Sequence, residues 1–272
     1  MEHEDIEVKL LLEAIYLKYG YDFRNYTKAS IKRRINQRLM LSKLENISAM
    51  QHQLLTNQIF FETLLHDFSI QVTEMFRDPS FYLTLRKYVI PILKTYPYIK
   101  IWHAGCASGE EVYSMAILLK EEGLLDKTLI YATDINEIVL KKAKDGIYPV
   151  EKIKEFTYNY QKAGGVNSFS DYYTAKYDAV IMKKELKKNL IFAQHNLATD
   201  QDFGEMNLIM CRNVLIYFDD ALQRRVFRLF TNSLVRQGFL CLGSKESLNF
   251  CESYKCFEEF VQGEKIYRKI II

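Results

Sequence analysis

Apolar residues recur at intervals of three and four through roughly the first 90 residues, as in Ile6, Leu10, Leu11, Ala14, Ile15 and again in Ile31, Ile35, Leu39. That period lines them along one face of a helix and predicts a small helical unit without strands. From Lys100 the texture changes to short apolar runs, each followed by turn residues and then by a helical pattern. Such alternation predicts a parallel sheet with crossover helices. The candidate strands are Ile99–His103, Leu129–Thr133, Leu190–Ala193, Asn207–Met210, Phe239–Leu242 and Ile266–Ile271. Pro91 and Pro97 punctuate the join, and the expected domains are 1–85 and 86–272. From about 148 to 190 the chain turns aromatic (Phe156, Tyr158, Tyr160, Phe169, Tyr172, Tyr173, Tyr177) around Gly164-Gly165, and reads as an insertion. Within it Tyr177–Met182 and Glu185–Ile191 flank Lys183-Lys184 and are expected to pair as an antiparallel excursion. One helix with a long loop is the alternative.

Composition narrows the class. The 272 residues are 49% hydrophobic and 26% charged with 4 Pro and 11 Gly, which excludes disordered and collagen-like chains. The longest apolar runs, Val214–Phe218 and Val89–Leu93, fall far short of the ~18 residues that a membrane-spanning helix needs, so no membrane insertion is expected. The acidic start MEHEDIEVKL does not fit a signal peptide and suggests a cytoplasmic protein. Five cysteines without a CxxC pair suit free thiols, and five histidines without HExxH spacing predict no metal site. A net charge of +3 is too small to point to nucleic acid.

The sharpest local signal is the run Ile101-Trp102-His103-Ala104-Gly105-Cys106-Ala107-Ser108-Gly109-Glu110-Glu111, an apolar strand entering a glycine turn and then a helical pattern. Glycines there let a ligand approach the backbone, and the helix start presents unpaired N–H groups. The GxxxG spacing is neither the dinucleotide fingerprint nor a phosphate loop. Glu110 and Glu111 repel phosphate and suit a ligand with positive charge or hydroxyls, which favours S-adenosylmethionine over a nucleotide. Leu129–Asp134 is a second strand ending in a carboxylate, and an acid at that place in doubly wound folds accepts ribose hydroxyls. Capping of a helix that begins near Asn136 is the other reading of Asp134.

Six motifs then stand in order: FSIQVTEMFRDP (68–79), AGCASGEEVYSMA (104–116), ATDIN (132–136), DGIYP (145–149), HNL (195–197) and CRNVLIYFD (211–219). Together they resemble the CheR-type chemotaxis receptor methyltransferases, S-adenosylmethionine-dependent protein-glutamate O-methyltransferases, and YTKASIKRRINQRL (26–39) resembles that family's helical N-terminal domain. The resemblance implies an α/β fold: a Rossmann-like methyltransferase domain with a small inserted β-subdomain, preceded by an all-helical domain. It implies S-adenosylmethionine as cofactor and S-adenosylhomocysteine as product. Its cofactor contacts fall on Gln71, Thr73, Arg77, Gly105, Glu111, Asp134, Asn196, Leu197, Cys211 and Arg212, with Arg77 and Tyr217 beside the transferred methyl. Asn196 and Leu197 would line the adenine pocket. Gln71 and Met75 stand where asparagine and phenylalanine are common. Read without the family, Arg77-Asp78 caps a helix or makes an ion pair, Tyr217 fills core, and Cys106 and Cys211 are small packing residues.

A carboxylate acceptor needs no general base, in keeping with the lack of a His/Asp or Cys/His constellation in the sequence. From Phe23 to Leu44 seven residues are basic and none is acidic. On a helix Ile31, Ile35 and Leu39 form the buried stripe, and Arg33, Arg34 and Arg38 are expected to present a basic face to an acidic helical region of a chemoreceptor or related signalling protein. A solvated basic face is the plain alternative. RNA would favour aromatics among the arginines, and no Asn-Pro-Pro-Tyr motif is present to hold a flipped base. The insertion does not follow the pattern with which some family members tether a receptor peptide. A monomer is expected, and a non-catalytic module binding the cofactor for signalling is the rival function.

Overall fold

Leu11, Ile15, Ile31, Ile35, Met50, Leu54, Leu64 and Leu65 meet in one apolar cluster, and the helices that carry them pack around it. In the computed structural model, which describes residues 3–68, 73–202, 204–248 and 252–270, these helices are α1 (His3–Tyr19), α2 (Lys28–Ser42), α3 (Ile47–Thr56) and α4 (Gln58–Phe68). The Asn46 side chain starts α3 by accepting from the Ala49 N–H at 2.8 Å. Two residues of the expected α1 stripe, Ile6 and Leu10, stay exposed, and Val8 and Leu12 take their place inside.

The remaining strands and helices build the expected sheet. After α5 (Pro79–Thr84) and α6 (Ile90–Leu93) come β1 (Ile99–Ala104), α7 (Glu110–Glu121), β2 (Thr128–Asp134), α8 (Glu137–Asp145) and β3 (Ile147–Pro149). Then follow α9 (Ile153–Lys162), β4 (Tyr173–Lys176), β5 (Ala179–Met182), α10 (Lys184–Lys187), β6 (Leu190–Gln194), β7 (Met206–Cys211), α11 (Asp220–Ser233), β8 (Leu234–Leu242), β9 (Phe257–Val261) and β10 (Ile266–Lys269). The main sheet runs β6-β2-β1-β7-β8-β10-β9. Its first five strands pair in parallel, whereas β10 is antiparallel to β8 and β9. Side chains alternate across it. Ile101, Ile130, Leu208 and Phe239 pack with α7 in one core, and Trp102, Ile209 and Leu240 pack with Val226, Phe227 and Phe230 of α11 in the other. Among the described residues no helix is long and apolar enough to cross a membrane.

The insertion differs from the expected pairing. Ala179–Met182 pairs with Tyr173–Lys176 and with Ile147–Pro149, giving a three-stranded sheet in the order β3-β5-β4. Lys184–Lys187 is one helical turn that buries Leu186, and Leu190 already belongs to the main sheet beside β2. The segment after Lys183 therefore returns to the large sheet, where it finds a full-length partner strand. Residue 271 of the last expected strand lies outside the described residues.

Met75, Phe76, Phe81, Tyr82 and Leu85 pack into the sheet's core with α7. The strand order reverses at β1, with β2 on one side and β7 on the other. At such a point the carboxyl ends of the strands open a crevice. The helical unit closes over it through the loop after β7. Thr27 N–H donates to the Tyr217 carbonyl at 2.8 Å and Asp219 N–H to the Asn25 carbonyl at 2.9 Å. The Tyr26 and Phe218 rings meet edge to face at 4.9 Å.

Candidate functional site

The crevice is a cavity of about 490 Å³ between the helical unit and the carboxyl ends of β1, β2 and β7, within the range of small-molecule sites. The turn after β1 forms its base. Gly105 (φ +79°) and Cys106 both donate their N–H groups to the Thr133 carbonyl, at 2.8 and 2.9 Å, which stitches the turn to β2. A side chain at Gly105 would bring a Cβ to 2.6 Å from Val214 Cγ2, so glycine is required there by both conformation and space. Phe76, Asp78, Ala107 and Asn213 also adopt positive φ, and three of these four line the cavity or its glycine turn. Strained backbone of this kind persists where surrounding packing over-determines it, and it gathers at functional sites.

Asp134 ends β2 on the cavity wall. One carboxylate oxygen accepts from Ala107 N–H and the other from Asn136 N–H, each at 3.0 Å, which leaves lone pairs on both for ligand hydroxyls. Burial raises its carboxyl and the N–H groups of Asn136 and Ala107 oppose this, with a net upward shift. Asp134 is not the helix cap: α8 is capped by Asn136, whose own side chain accepts from Ile138 N–H at 2.9 Å.

Glu111, in the first turn of α7, forms a second acidic point of the wall. Its carboxylate takes Arg212 at 3.0 Å and lies 3.1 Å from His103 Nδ1. Burial alone would raise the Glu111 carboxyl, but the His103 hydrogen bond and the Arg212 charge hold it below its ordinary value, so it carries charge. Arg212 also bonds Asp78 at 2.7 Å and the Arg77 carbonyl at 3.3 Å, with its guanidinium 4.1 Å from the Phe81 ring centre. The guanidinium thus braces α7 against the segment that carries Arg77. Cys211 is corrected: it is fully buried, and its side chain packs among Trp102, Leu215 and Leu240 away from the cavity wall. Alternation along β7 sends Cys211 to the same core as Ile209, and Arg212 follows directly after the strand at the cavity.

Thr73, Arg77, Asn196, Leu197 and Tyr217 complete the part of the wall that sequence reading anticipated, and Gln71 lies outside the described residues. Asn196 Oδ1 accepts from Ala198 N–H at 2.9 Å, which fixes the turn holding Leu197. Tyr217 is half-buried. Burial raises its phenol, against the charges of Arg34, Arg77 and Arg33, so the hydroxyl keeps its proton and can donate.

The basic face of α2 is a further correction. Arg34 is 6% exposed, donates to the Phe68 carbonyl and stands 5.3 Å over the Tyr217 ring. Arg38 is held by Asp67, with one bond at 2.7 Å. Of the three arginines expected to meet a partner, only Arg33 is exposed, and it lines the cavity with Arg34. At 3.6 residues per turn Arg34 and Arg38 lie beside Ile31 and Ile35 rather than opposite them, and that spacing was the available signal. Sequence reading also missed His103, the partner of Glu111, and Glu246, which carries no motif of its own.

Known proteins of this kind share both parts of the chain. A family model described as CheR methyltransferase, SAM binding domain, matches residues 71–263, and one described as CheR methyltransferase, all-alpha domain, matches residues 6–69. A Pseudomonas putida protein named "Putative methyltransferase Cher3" is 53% identical over 265 residues, covering 97% of each chain. The "Chemotaxis protein methyltransferase" of Borreliella burgdorferi is 30% identical and covers 89% of this chain and 88% of that one. The Escherichia coli protein of the same name is 26% identical, covering 91% and 86%. Paired carboxylates, one placed to accept hydroxyls and one kept negative, fit the ribose and the cationic groups of S-adenosylmethionine. The chain belongs to the CheR methyltransferase family, a methyltransferase fold that takes S-adenosylmethionine as its cofactor.

Proposed function

We propose that this protein methylates glutamate side-chain carboxylates of a chemoreceptor or related signalling protein, a reading supported by relatives named as chemotaxis protein methyltransferases. The observation that carries the reading is what one cavity brings together: Asp134 at the end of β2 and Glu111 at the start of α7, with Arg33 and Arg34 of α2, Arg77 from the segment before α5 and Tyr217 from the loop after β7. The acidic pair suits the cofactor, with Asp134 accepting ribose hydroxyls, Glu111 facing the ammonium group, and Asn196 and Leu197 bounding the adenine. Thr73 and Gly105 add close contacts to it. The cationic group suits an acceptor carboxylate, and Arg77 lies where it also meets the cofactor's own carboxylate. Arg212, itself at the cavity, braces both by fixing Glu111 and Asp78.

The cofactor supplies an electrophilic methyl on sulfur: the acceptor oxygen forms the new O–C bond as the C–S bond breaks, and its electron pair stays on the sulfur. Tyr217 and Arg77 orient the acceptor without deprotonating it, since an ionised carboxylate is already the nucleophile. Holding the two reactants in line and excluding water account for the rate. The two-domain division belongs to the same proposal, with 73–85 grouped by packing with the cofactor domain. Incubation with methyl-labelled cofactor and lysate of the source organism tests it. Label in protein that leaves as methanol under alkali supports the reading, and Arg77→Ala should abolish it. Cofactor binding without label in any protein would leave a signalling module instead.

A further inference from the structure

Glu246 is 4% exposed, and its carboxylate gathers backbone donors from two loops. One oxygen accepts from Val214 N–H at 2.8 Å and Leu215 N–H at 2.7 Å, with Ile216 N–H more distant at 3.4 Å. The other accepts from Asn213 N–H at 2.9 Å and Gly243 N–H at 2.6 Å. The left-handed turn at Asn213 (φ +63°) followed by the single 3-10 turn Leu215–Tyr217 points these N–H groups toward one spot. Such a concavity of successive amides binds an anion, and here the protein supplies its own. The fit is close, since a Cβ on Gly243 would stand 2.8 Å from Asn213 N and 2.9 Å from Glu246 Oε2.

What the carboxylate joins is the acceptor side of the cavity. The loop from Asn213 to Phe218 lines it, and so do Ser244 and Lys245 from the turn closed by Glu246. Val214 presses on the turn at Gly105, where the cofactor is expected. Glu246 is not on the cavity wall and reaches no ligand position itself. An apolar residue would fill the same interior volume without the cost of burying a charge, so packing does not explain a carboxylate at this place. The amides it orders do, because they fix the path of the segment that ends at Tyr217.

We propose that Glu246 is a positioning residue for methyl transfer: it holds the Tyr217 hydroxyl at the acceptor wall by anchoring the loop from Asn213 through the 3-10 turn. The proposal rests on the reading of Tyr217 as the residue that orients the acceptor. Glu246→Gln keeps the volume but loses the charge and turns an NH₂ group toward amides that need an acceptor.

The test uses full-length wild type, Glu246→Gln, Tyr217→Phe and the double variant. Amide exchange followed by mass spectrometry should be at least about tenfold faster at residues 213–216 in Glu246→Gln, with α1–α4 unchanged. In methyl transfer to lysate protein, Glu246→Gln should lower kcat about tenfold while the KM for S-adenosylmethionine stays within about threefold. Combined with Tyr217→Phe it should add less than about threefold, because both act through one group. Unchanged exchange at 213–216, unchanged kcat, or losses that multiply in the double variant would overturn the proposal. A wild-type protein that labels nothing would remove the functional reading, whereas amides that stay protected in Glu246→Gln would remove the anchoring role itself.

Discussion

Replacing Asp134 by Asn changes no volume and removes one charge from the wall assigned to the cofactor. Each carboxylate oxygen already accepts a backbone N–H at 3.0 Å, from Ala107 and Asn136, so a ribose hydroxyl would use the remaining lone pair on each. Asparagine offers one oxygen, and its NH₂ group must face one of the two amides. A hydroxyl bonded to a charged acceptor contributes about 1.5–3 kcal/mol and to a neutral one about 0.5–1.5. One bond weakened and one lost therefore cost about 3 kcal/mol, roughly a hundred-fold in affinity for S-adenosylhomocysteine. The unpaired amide separately costs about 1–3 kcal/mol of stability, which lowers the ligand-free thermal midpoint by several degrees. Calorimetric titration with S-adenosylhomocysteine, beside a ligand-free melt, separates the two losses. A folded Asp134→Asn that binds within about threefold of wild type would refute Asp134 as the ribose ligand.

Glu110 is buried with the Ser108 hydroxyl donating to it at 2.8 Å, and burial pushes its carboxyl up to about 7 from an ordinary value of 4.5. The folded state then holds a proton that the unfolded chain releases, so this residue lowers stability by up to about 3 kcal/mol as pH rises from 4.5 through 7. Glu110→Gln keeps the Ser108 bond and should be more stable than wild type by about that amount at pH 8 in denaturant melts, with the difference closing toward pH 4.5; equal stability at both pH values would contradict it. Arg212→Met strands the buried Glu111 charge and should cost about 3–5 kcal/mol, most of it recovered in the double variant with Glu111→Gln. Full additivity in a double-mutant cycle would show that the pair at 3.0 Å does not act as one unit.

The main sheet was legible because each buried parallel strand is a run of apolar residues bounded by turns, and every expected core strand from Ile99 to Leu242 falls inside an observed one. The insertion was less so. Its strand Tyr173–Lys176 is largely exposed and shows no alternation, so nothing in the sequence distinguishes it from a loop. That Gly105, Glu111 and Asp134 gather on one cavity was readable from local order along the chain, since strand, turn and helix follow one another. Charge alone points Arg34 outward, but its spacing puts it on the buried helical flank of Ile31 and Ile35. Cys211 shares a motif with Arg212, while the alternation of β7 sends its side chain inward. Glu246 could not be read at all, for its partners are backbone N–H groups delivered by a segment about thirty residues away, and no side-chain pattern records them.

The central claim is a carboxyl methyl transfer, and its most direct measurement is the site of the new methyl group. The labelled acceptor protein, isolated after incubation with this protein and methyl-labelled cofactor, is digested near neutral pH and sequenced by mass spectrometry. The account predicts one added methylene on glutamate side chains, removed by mild alkali as methanol, reduced with Tyr217→Phe and absent with Arg77→Ala at matched folding. A methyl group on nitrogen, sulfur or nucleic acid, stable to alkali, would contradict it.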